Sequence, residues 1–230
     1  MLLFLPGLIC DARTFAPQLA AFAGSRAVNG YGGADSLEDM ARVALEQAPD
    51  TFDLFGHSMG GRVALEVFRL APDRVRRIAL ASTGVHSLRE GEPAKRAALV
   101  AIGHEQGYEA LVDSWLPPMV TDPNRADPAL YAPMRQMCLS AGQATFDAQI
   151  AALLGRKEQE SLLPQIACPA LVMTGELDTW SPPAQHEAMA ARIADSTLVI
   201  VPGAGHMLPL EAPGAVNQAI SDWLARPAGN

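Results

Sequence analysis

Short, continuous apolar runs alternate with amphipathic stretches along most of this chain. Such runs are typical of strands that are buried on both faces of a sheet. They predict strands at residues 2–5, 28–31, 52–55, 78–81, 170–174 and 198–201. Helices are expected at residues 15–23, after Ser36, from the end of the third run to Leu70, at residues 184–193 and up to Ala225. Because strand and helix alternate, we expect right-handed crossovers and an α/β fold with a six-stranded parallel sheet.

The alternation lapses between Ser82 and Pro169, where apolar residues recur with a helical period instead. Four helical patterns occupy this stretch, at residues 94–104, 108–116, 128–139 and 143–154. We interpret them as a four-helix cap inserted between the fourth and fifth strands. The resulting division predicts a core of residues 1–84 and 146–230 and a cap of residues 85–145.

One serine stands at a junction between a predicted strand and a predicted helix. The run at residues 52–55 leads into Gly56-His57-Ser58-Met59-Gly60, and a helical pattern begins directly afterwards. A serine on such a sharp turn needs very small residues two positions before and after it, because the backbone doubles back on itself. Since this pattern also arises by chance, Ser58 becomes a candidate nucleophile only if partners for it exist elsewhere in the chain.

Two later strands are followed by suitable partners. Asp178 follows the run at residues 170–174 and His206 follows the run at residues 198–201, which places both at the carboxyl ends of parallel strands. Serine needs a base to remove its proton, and a carboxylate fixes the tautomer of that base. Asp178 could instead be an ordinary acidic residue at the start of a helix, and Glu176 would then be the carboxylate partner of the base. The other histidines are interpreted as structural or solvated residues: His57, His86, His104 and His186.

The charge of the chain narrows its possible partners. The chain has 230 residues, enough for one domain with an insertion, and a formal charge of -8 at pH 7. An acidic chain without a basic face has little attraction for phosphate groups, so nucleic acid is not expected as a partner. We expect a small-molecule substrate and a monomer or homodimer.

The N-terminus and the cysteines suggest a compartment. The apolar residues 1–6 lack a basic segment and are too few for a signal peptide or a membrane span, so no membrane partner is expected. Cys10, Cys138 and Cys168 are odd in number and lack the paired spacings of metal sites. Free thiols of this kind are typical of a reducing cytoplasm, which we predict as the location, and no metal is expected.

Three blocks of sequence resemble the signature blocks of the α/β-hydrolase superfamily: residues 56–61 around Ser58, residues 175–182 around Asp178 and residues 203–213 around His206. The order serine, aspartate, histidine along the chain is also theirs. The closest resemblance is to the small carboxylesterase-like branch that contains pimeloyl-carrier-protein methyl esterases and 3-oxoadipate enol-lactonases. It implies an α/β-hydrolase fold and no organic cofactor. The usual N-terminal antiparallel hairpin is expected to be missing, because the first strand starts at Leu2.

The same resemblance implies an oxyanion hole made by two backbone N–H groups. One belongs to Met59, directly after the serine. The other belongs to Leu8, which follows Pro6-Gly7 at the end of the first strand. Relatives carry a histidine where this chain has Pro6, but the donor is a main-chain group that the change does not remove.

A substrate pocket is expected to draw residues from the cap and from the neighbours of the three site residues. Apolar cap residues with helical spacing belong either to the cap core or to an acyl pocket: Trp115, Met119, Tyr131, Met134 and Met137. Trp180 and Met207 are expected as pocket walls and Cys10 as a pocket neighbour. Arg13 either orients a substrate carboxylate or closes its own loop through a salt bridge.

Together these features predict a serine hydrolase that cleaves carboxylic esters through an acyl-enzyme, with a small ester or lactone as substrate. The same three residues serve enol-lactonases, C–C bond hydrolases, acyltransferases and perhydrolases, so those reactions stay open. A ligand-binding protein of the same fold that does not catalyse is the alternative of another class. Dehalogenases and epoxide hydrolases are disfavoured, because they use an aspartate where this chain has Ser58.

Overall fold

The computed structural model describes residues 1–228, and one sheet of six strands lies at its centre. The strands are β1 (Leu2–Leu5), β2 (Arg26–Ala27), β3 (Phe52–His57), β4 (Val75–Ala81), β5 (Ala170–Gly175) and β6 (Ser196–Val201). Their order across the sheet is β2-β1-β3-β4-β5-β6, and every strand pair in the described residues is parallel. The predicted six-stranded parallel sheet is confirmed.

Helices connect the strands. They are α1 (Ala16–Ala21), α2 (Leu37–Gln47), α3 (Met59–Leu70), α4 (Glu92–Gln106), α5 (Tyr108–Trp115), α6 (Asp122–Ala126), α7 (Pro128–Ala141), α8 (Gln143–Leu154), α9 (Pro183–Ala190), α10 (Leu208–Glu211) and α11 (Pro213–Ala225). Short 3-10 turns lie at Ala12–Phe15, Pro72–Arg74, Pro117–Met119 and Glu160–Gln165. Within residues 1–228, none of the helices combines the length and the apolar character that crossing a membrane requires.

The two faces of the sheet carry separate apolar cores. Leu3 and Leu5 of β1 belong to the core that also includes α3 and much of the insertion, whereas Leu2 and Phe4 belong to the core on the opposite face with Trp223. Because successive side chains of a strand point to opposite faces, a strand covered on both sides must be apolar at every position. This requirement explains the unbroken apolar run at the start of the chain.

The second strand lies earlier than the sequence pattern predicted. β2 is Arg26–Ala27, whereas the prediction was a strand from Val28 to Tyr31. Val28 donates one further backbone hydrogen bond to Phe4 at 3.0 Å, but both Val28 and Tyr31 are buried in the loop that follows β2. The hydroxyl of Tyr31 donates to the carbonyl of Pro6 at 3.1 Å. The prediction was wrong because the apolar character of this stretch reflects loop packing, not strand pairing.

The insertion between β4 and β5 is helical, as predicted, but it contains five α-helices. Four of them match the predicted patterns, and the fifth, the short α6, was not predicted. Pro123 lies in the first turn of α6, where the missing N–H of proline costs no helical hydrogen bond. The division between cap and core stays a prediction, and its expected boundary at residues 145 and 146 falls inside α8.

Candidate active site

Ser58 lies on a tight turn between β3 and α3. Its φ of 57° and ψ of -121° are rare for a residue with a side chain, and such a turn presents the hydroxyl above the strand ends. A Cβ atom on Gly56 would overlap the backbone of Gly60, and one on Gly60 would overlap the carbonyl group of Leu5. Close packing of the turn therefore requires glycine at both positions.

The three predicted site residues form one hydrogen-bonded chain. The Nε2 of His206 lies 2.8 Å from the Oγ of Ser58, and its Nδ1 lies 2.9 Å from the Oδ2 of Asp178. The other carboxylate oxygen of Asp178 accepts the backbone N–H groups of Trp180 at 2.9 Å and Ser181 at 2.8 Å. Asp178 and His206 are buried and Ser58 is half-buried, so only the serine end of this chain is partly open to solvent.

The surroundings of Asp178 keep it ionised. Burial raises the pKa of this carboxyl. The charge and hydrogen bond of His206 and the N–H of Ser181 outweigh that effect and lower the pKa to about 2. An ionised carboxylate accepts a hydrogen bond from the Nδ1–H of His206, which keeps the proton on Nδ1 and leaves Nε2 free to take the proton of Ser58. The arrangement is therefore able to activate a serine for attack on a carbonyl carbon.

His57 supports the backbone of His206. It is buried, and its Nε2 lies 2.8 Å from the carbonyl oxygen of His206. Burial, followed by the nearby His206, lowers the pKa of His57 to about 3, so it is neutral at pH 7 and donates through Nε2. This contact agrees with the structural role expected from the sequence.

The two expected oxyanion donors lie close to Ser58. Met59 begins α3, and Leu8 lies in the loop of residues 6–10, here called the Leu8 loop. Among residues 1–228, no hydrogen bond occupies the N–H of Leu8 or that of Met59. Both residues line the same cavity as Ser58, so both N–H groups are candidates for binding a developing oxyanion.

Side chains from two directions hold the Leu8 loop in place. Ile9 has a positive φ of 49°, and its N–H donates to the Oε1 of Gln149 on α8 at 2.6 Å. Gln149 is only 1% exposed. Tyr31 binds the carbonyl of Pro6 from the other side. The loop is thus fixed by tertiary contacts on both sides of Leu8.

The cavity beside Ser58 and His206 is walled on one side by residues between β4 and β5. Three of them, Ser82, Thr83 and Gly84, follow β4 directly, and the insertion beyond them contributes His86, Glu92, Arg96, Trp115, Met119 and Leu153. Trp115 and Met119 are buried in this wall, and Trp180 borders the cavity from the core with 45% exposure. Three of the predicted pocket residues, Trp115, Met119 and Trp180, therefore meet at one cavity.

Comparison with known proteins identifies the family of this chain. Residues 2–219 match the alpha/beta hydrolase family, which is nearly the whole chain. The chain belongs to that family. The three sequence blocks that resembled this superfamily carry the hydrogen-bonded residues of the hydrolase: Ser58, Asp178 and His206.

Relatives in sequence and in structure agree with this assignment. The hydrolase is 28% identical to the pimeloyl-[acyl-carrier protein] methyl ester esterase of Pectobacterium carotovorum subsp. carotovorum (strain PC1) over 204 residues, 83% of this chain and 79% of the relative. A thermophilic esterase from Thermogutta terrifontis, solved with malate bound, is similar with a TM-score of 0.85 and 28% identity over 97% of this chain and 88% of that chain. The enol-lactonase from Burkholderia xenovorans LB400 has a TM-score of 0.86 at 23% identity, over 98% and 91% of the two chains, and shares the fold. The predicted resemblance to the carboxylesterase-like branch is confirmed.

Four predicted pocket residues of the hydrolase do not line this cavity: Cys10, Tyr131, Met134 and Met207. Cys10 is buried near Cys138, and this neighbouring thiol, followed by burial, raises the pKa of Cys138. Met134 and Met207 are almost fully buried in the core that includes the insertion, and the half-buried Tyr131 packs against that core. Helical spacing and nearness to His206 did not distinguish core packing from pocket lining.

Sequence reasoning missed the polar part of the wall. Arg13 was expected either to orient a substrate carboxylate or to close its own loop through a salt bridge, and it forms the salt bridge, with its Nε 2.9 Å from the Oδ1 of Asp11. Arg62 lines the cavity instead. Its position four residues after Ser58 was the available signal, because residues one helical turn apart share a face. Arg96 reaches the cavity only through the fold of the insertion.

The remaining histidines of the hydrolase have structural contacts. His186 is buried, and its Nε2 accepts the N–H of Thr83 at 3.1 Å, whereas the exposed His104 pairs with Asp147 at 2.9 Å. In the part of the chain that the structure describes, no three His, Cys, Asp or Glu side chains are grouped so that they could hold a metal ion.

Proposed function

We propose that this hydrolase cleaves carboxylic esters through a serine acyl-enzyme. The observation that carries the proposal is the hydrogen-bonded chain from Ser58 through His206 to Asp178, with distances of 2.8 Å and 2.9 Å. The esterase names of the Pectobacterium and Thermogutta relatives support an ester carbonyl as the target. The reaction divides into acylation and deacylation.

In acylation, the Oγ of Ser58 attacks the carbonyl carbon while the Nε2 of His206 takes the hydroxyl proton. Asp178 stabilises the imidazolium that forms. The N–H groups of Leu8 and Met59 bind the negative oxygen of the tetrahedral intermediate, and one such donor is worth about 3 to 4 kcal/mol. The bond to the leaving oxygen then breaks, and His206 gives its proton to the departing alcohol.

In deacylation, water takes the place of the alcohol. His206 removes a proton from the water as it attacks the acyl carbon, and the same two N–H groups bind the second oxyanion. The bond to Ser58 breaks, the proton returns to its Oγ, and the carboxylic acid leaves. The cycle consumes one ester and one water and restores all the side chains.

Replacement of the proposed nucleophile tests this mechanism. Ser58→Ala is expected to lower the turnover of p-nitrophenyl butyrate by at least about 1,000-fold and to abolish covalent labelling by a fluorophosphonate probe. Ser221→Ala, on the exposed face of α11, is the matched control and should behave like the parent protein. Undiminished turnover in Ser58→Ala would refute the assignment. An intact protein that neither reacts with the probe nor turns over esters would instead favour a ligand-binding protein.

A further inference from the structure

The cavity beside Ser58 contains a buried guanidinium group that has no carboxylate partner among residues 1–228. Arg62 lies on α3 four residues after Ser58, lines the cavity and is 7% exposed. Its contacts are long: 3.3 Å to the carbonyl of His86, 3.4 Å to the Oε1 of Gln159 and 3.5 Å to the Nε2 of His86. In a strong N–H···O hydrogen bond the nitrogen and oxygen are about 2.7 to 3.2 Å apart. Arg62 therefore keeps donors available for a better acceptor.

The neighbouring carboxylates are already occupied. Glu92 accepts two hydrogen bonds from Arg156, at 2.8 Å and 2.6 Å, and one from Arg96 at 2.9 Å. Glu66 binds Arg69 and the Nε2 of Gln159, each at 3.0 Å. Within residues 1–228, no carboxylate forms an ion pair with Arg62.

The wall of the cavity therefore carries an excess of positive charge. Arg62, Arg96 and Arg156 surround a single carboxylate, that of Glu92. Burial raises the pKa of Glu92, but hydrogen bonds from Arg156 and Arg96 hold it at about 2. Glu92 is therefore ionised at pH 7, and its charge is paired with these two arginines. Burial, followed by the charge of Arg156, lowers the pKa of Arg62 to about 9, which still leaves Arg62 protonated at pH 7. His86 is neutral at that pH, because burial and then Arg62 lower its pKa to about 4.

A buried charge that lacks a counter-ion is costly, and an anion that enters the cavity removes that cost. Arginine binds carboxylates through short, charge-assisted hydrogen bonds, and its planar fork suits their two oxygens. We propose that Arg62, with Arg96 beside it, binds a free carboxylate group of the substrate. The preferred substrate of Ser58 is then an ester or lactone that carries a second, ionised carboxylate. This inference rests on the proposed ester hydrolysis.

Matched esters with and without the second carboxylate test the proposal. The charged set is the monomethyl esters of succinic, glutaric and adipic acid, and the neutral set is the methyl esters of butanoic, pentanoic and hexanoic acid. We expect at least one charged ester to have the higher kcat/KM in the parent protein. Arg62→Met should lower kcat/KM for that ester by about 10- to 100-fold, the usual worth of a hydrogen-bonded charge, and change the neutral partner by less than about threefold.

Two further variants control for charge and folding. Arg62→Lys keeps a cation and should retain more of the preference than Arg62→Met does. Arg42→Met removes an exposed arginine that pairs with Glu38 on α2, and it should leave both sets of esters unchanged. Thermal unfolding of each variant shows whether a loss follows from instability. Equal losses on charged and neutral esters in a folded Arg62→Met protein would overturn the proposal while leaving ester hydrolysis intact.

A binding measurement separates this proposal from the reaction. Calorimetric titration of the Ser58→Ala protein with glutarate should show binding that the Ser58→Ala, Arg62→Met protein lacks. This binding measurement does not depend on turnover. If no ester were turned over, the proposed function would fail, but the carboxylate site could still be tested. No difference between the two proteins would overturn the carboxylate site. Equally strong binding of inorganic phosphate would show a general anion site instead and would overturn the assignment to carboxylates.

Discussion

The strand ends that carry the three site residues and the insertion that walls the cavity are built in different ways. Each site residue in the core lies within a few residues of the end of a strand, and that strand sets its position. Asp178, for example, accepts the N–H groups of Trp180 and Ser181 directly after β5. The wall instead depends on distant partners, since Arg156 holds Glu92 across 64 positions of sequence. The difference suggests that the core sets the reaction and that the insertion sets the substrate.

The two regions also touch at the site itself. The carbonyl of Met119, in the insertion, accepts the N–H of His206 at 2.9 Å, and Gln149 on α8 holds the N–H of Ile9. Backbone groups beside the base and beside one expected oxyanion donor therefore rely on the insertion. Its helices position core residues as well as forming the cavity wall.

The largest effect is expected from the core. Asp178→Asn should lower kcat by about 1,000- to 10,000-fold, because the amide favours the wrong tautomer of His206 and does not stabilise its charged form. The reduction should be similar for every ester tested, which steady-state kinetics with short and long acyl chains would show. Asp222→Asn, an exposed change on α11, is the control. A reduction confined to one class of substrate would break the proposed separation of roles.

A smaller effect is expected where the regions touch. Gln149→Leu leaves the N–H of Ile9 without an acceptor, a cost of about 1 to 3 kcal/mol that the Leu8 loop can relieve by moving. Since the oxyanion donor acts on the transition state, kcat should fall by about tenfold while KM changes little. Gln165→Leu, on the surface, should change neither constant. If KM rises and kcat is unaffected, Gln149 acts on substrate binding and not on the loop.

Trp115 tests whether the insertion sets selectivity. Trp115→Leu removes part of a buried ring from the cavity wall, so longer acyl chains should gain relative to acetate. The ratio of the kcat/KM value for a hexanoate ester to that for an acetate ester should rise by about tenfold. An effect of this size is typical when a pocket gains room for one more methylene group. The acetate ester acts as the internal reference. An unchanged ratio would mean that Trp115 serves packing alone.

The last prediction concerns stability, through the pairing of Glu92 with Arg156. The folded pKa of about 2 lies below the usual 4.5, so this carboxylate stabilises the fold above pH 4.5, and the contribution disappears as the pH falls towards 2. Glu92→Gln should cost about 2 to 3 kcal/mol of unfolding free energy at pH 7. Urea unfolding across this range should show the difference from the parent protein shrinking in acid. A difference that stays constant with pH would point to lost packing instead.

The residues that sequence reasoning placed well share one property: their positions follow from features close to them in the sequence. The turn at Ser58 depends on Gly56 and Gly60, and Asp178 and His206 each follow a strand directly. The prediction at Val28 and Tyr31 was wrong because their burial comes from a loop that packs on the Leu8 loop. The cytoplasmic location and the monomeric or dimeric state stay predictions.

By itself, the sequence determined the α/β class, the order of strands and helices in the core and the three residues that meet at the strand ends. It did so because strand burial, turn sterics and the parallel arrangement act over a few residues at a time. Only the tertiary structure decided that Trp115 and Met119 face the cavity while Met134 and Met207 lie in the core. Only the tertiary structure left Arg62 without a carboxylate partner in the part of the chain that the structure describes, since the neighbouring acids are bound by Arg156, Arg96 and Arg69. Charge balance inside a protein is a property of the assembled neighbourhood, which spacing along the chain does not specify.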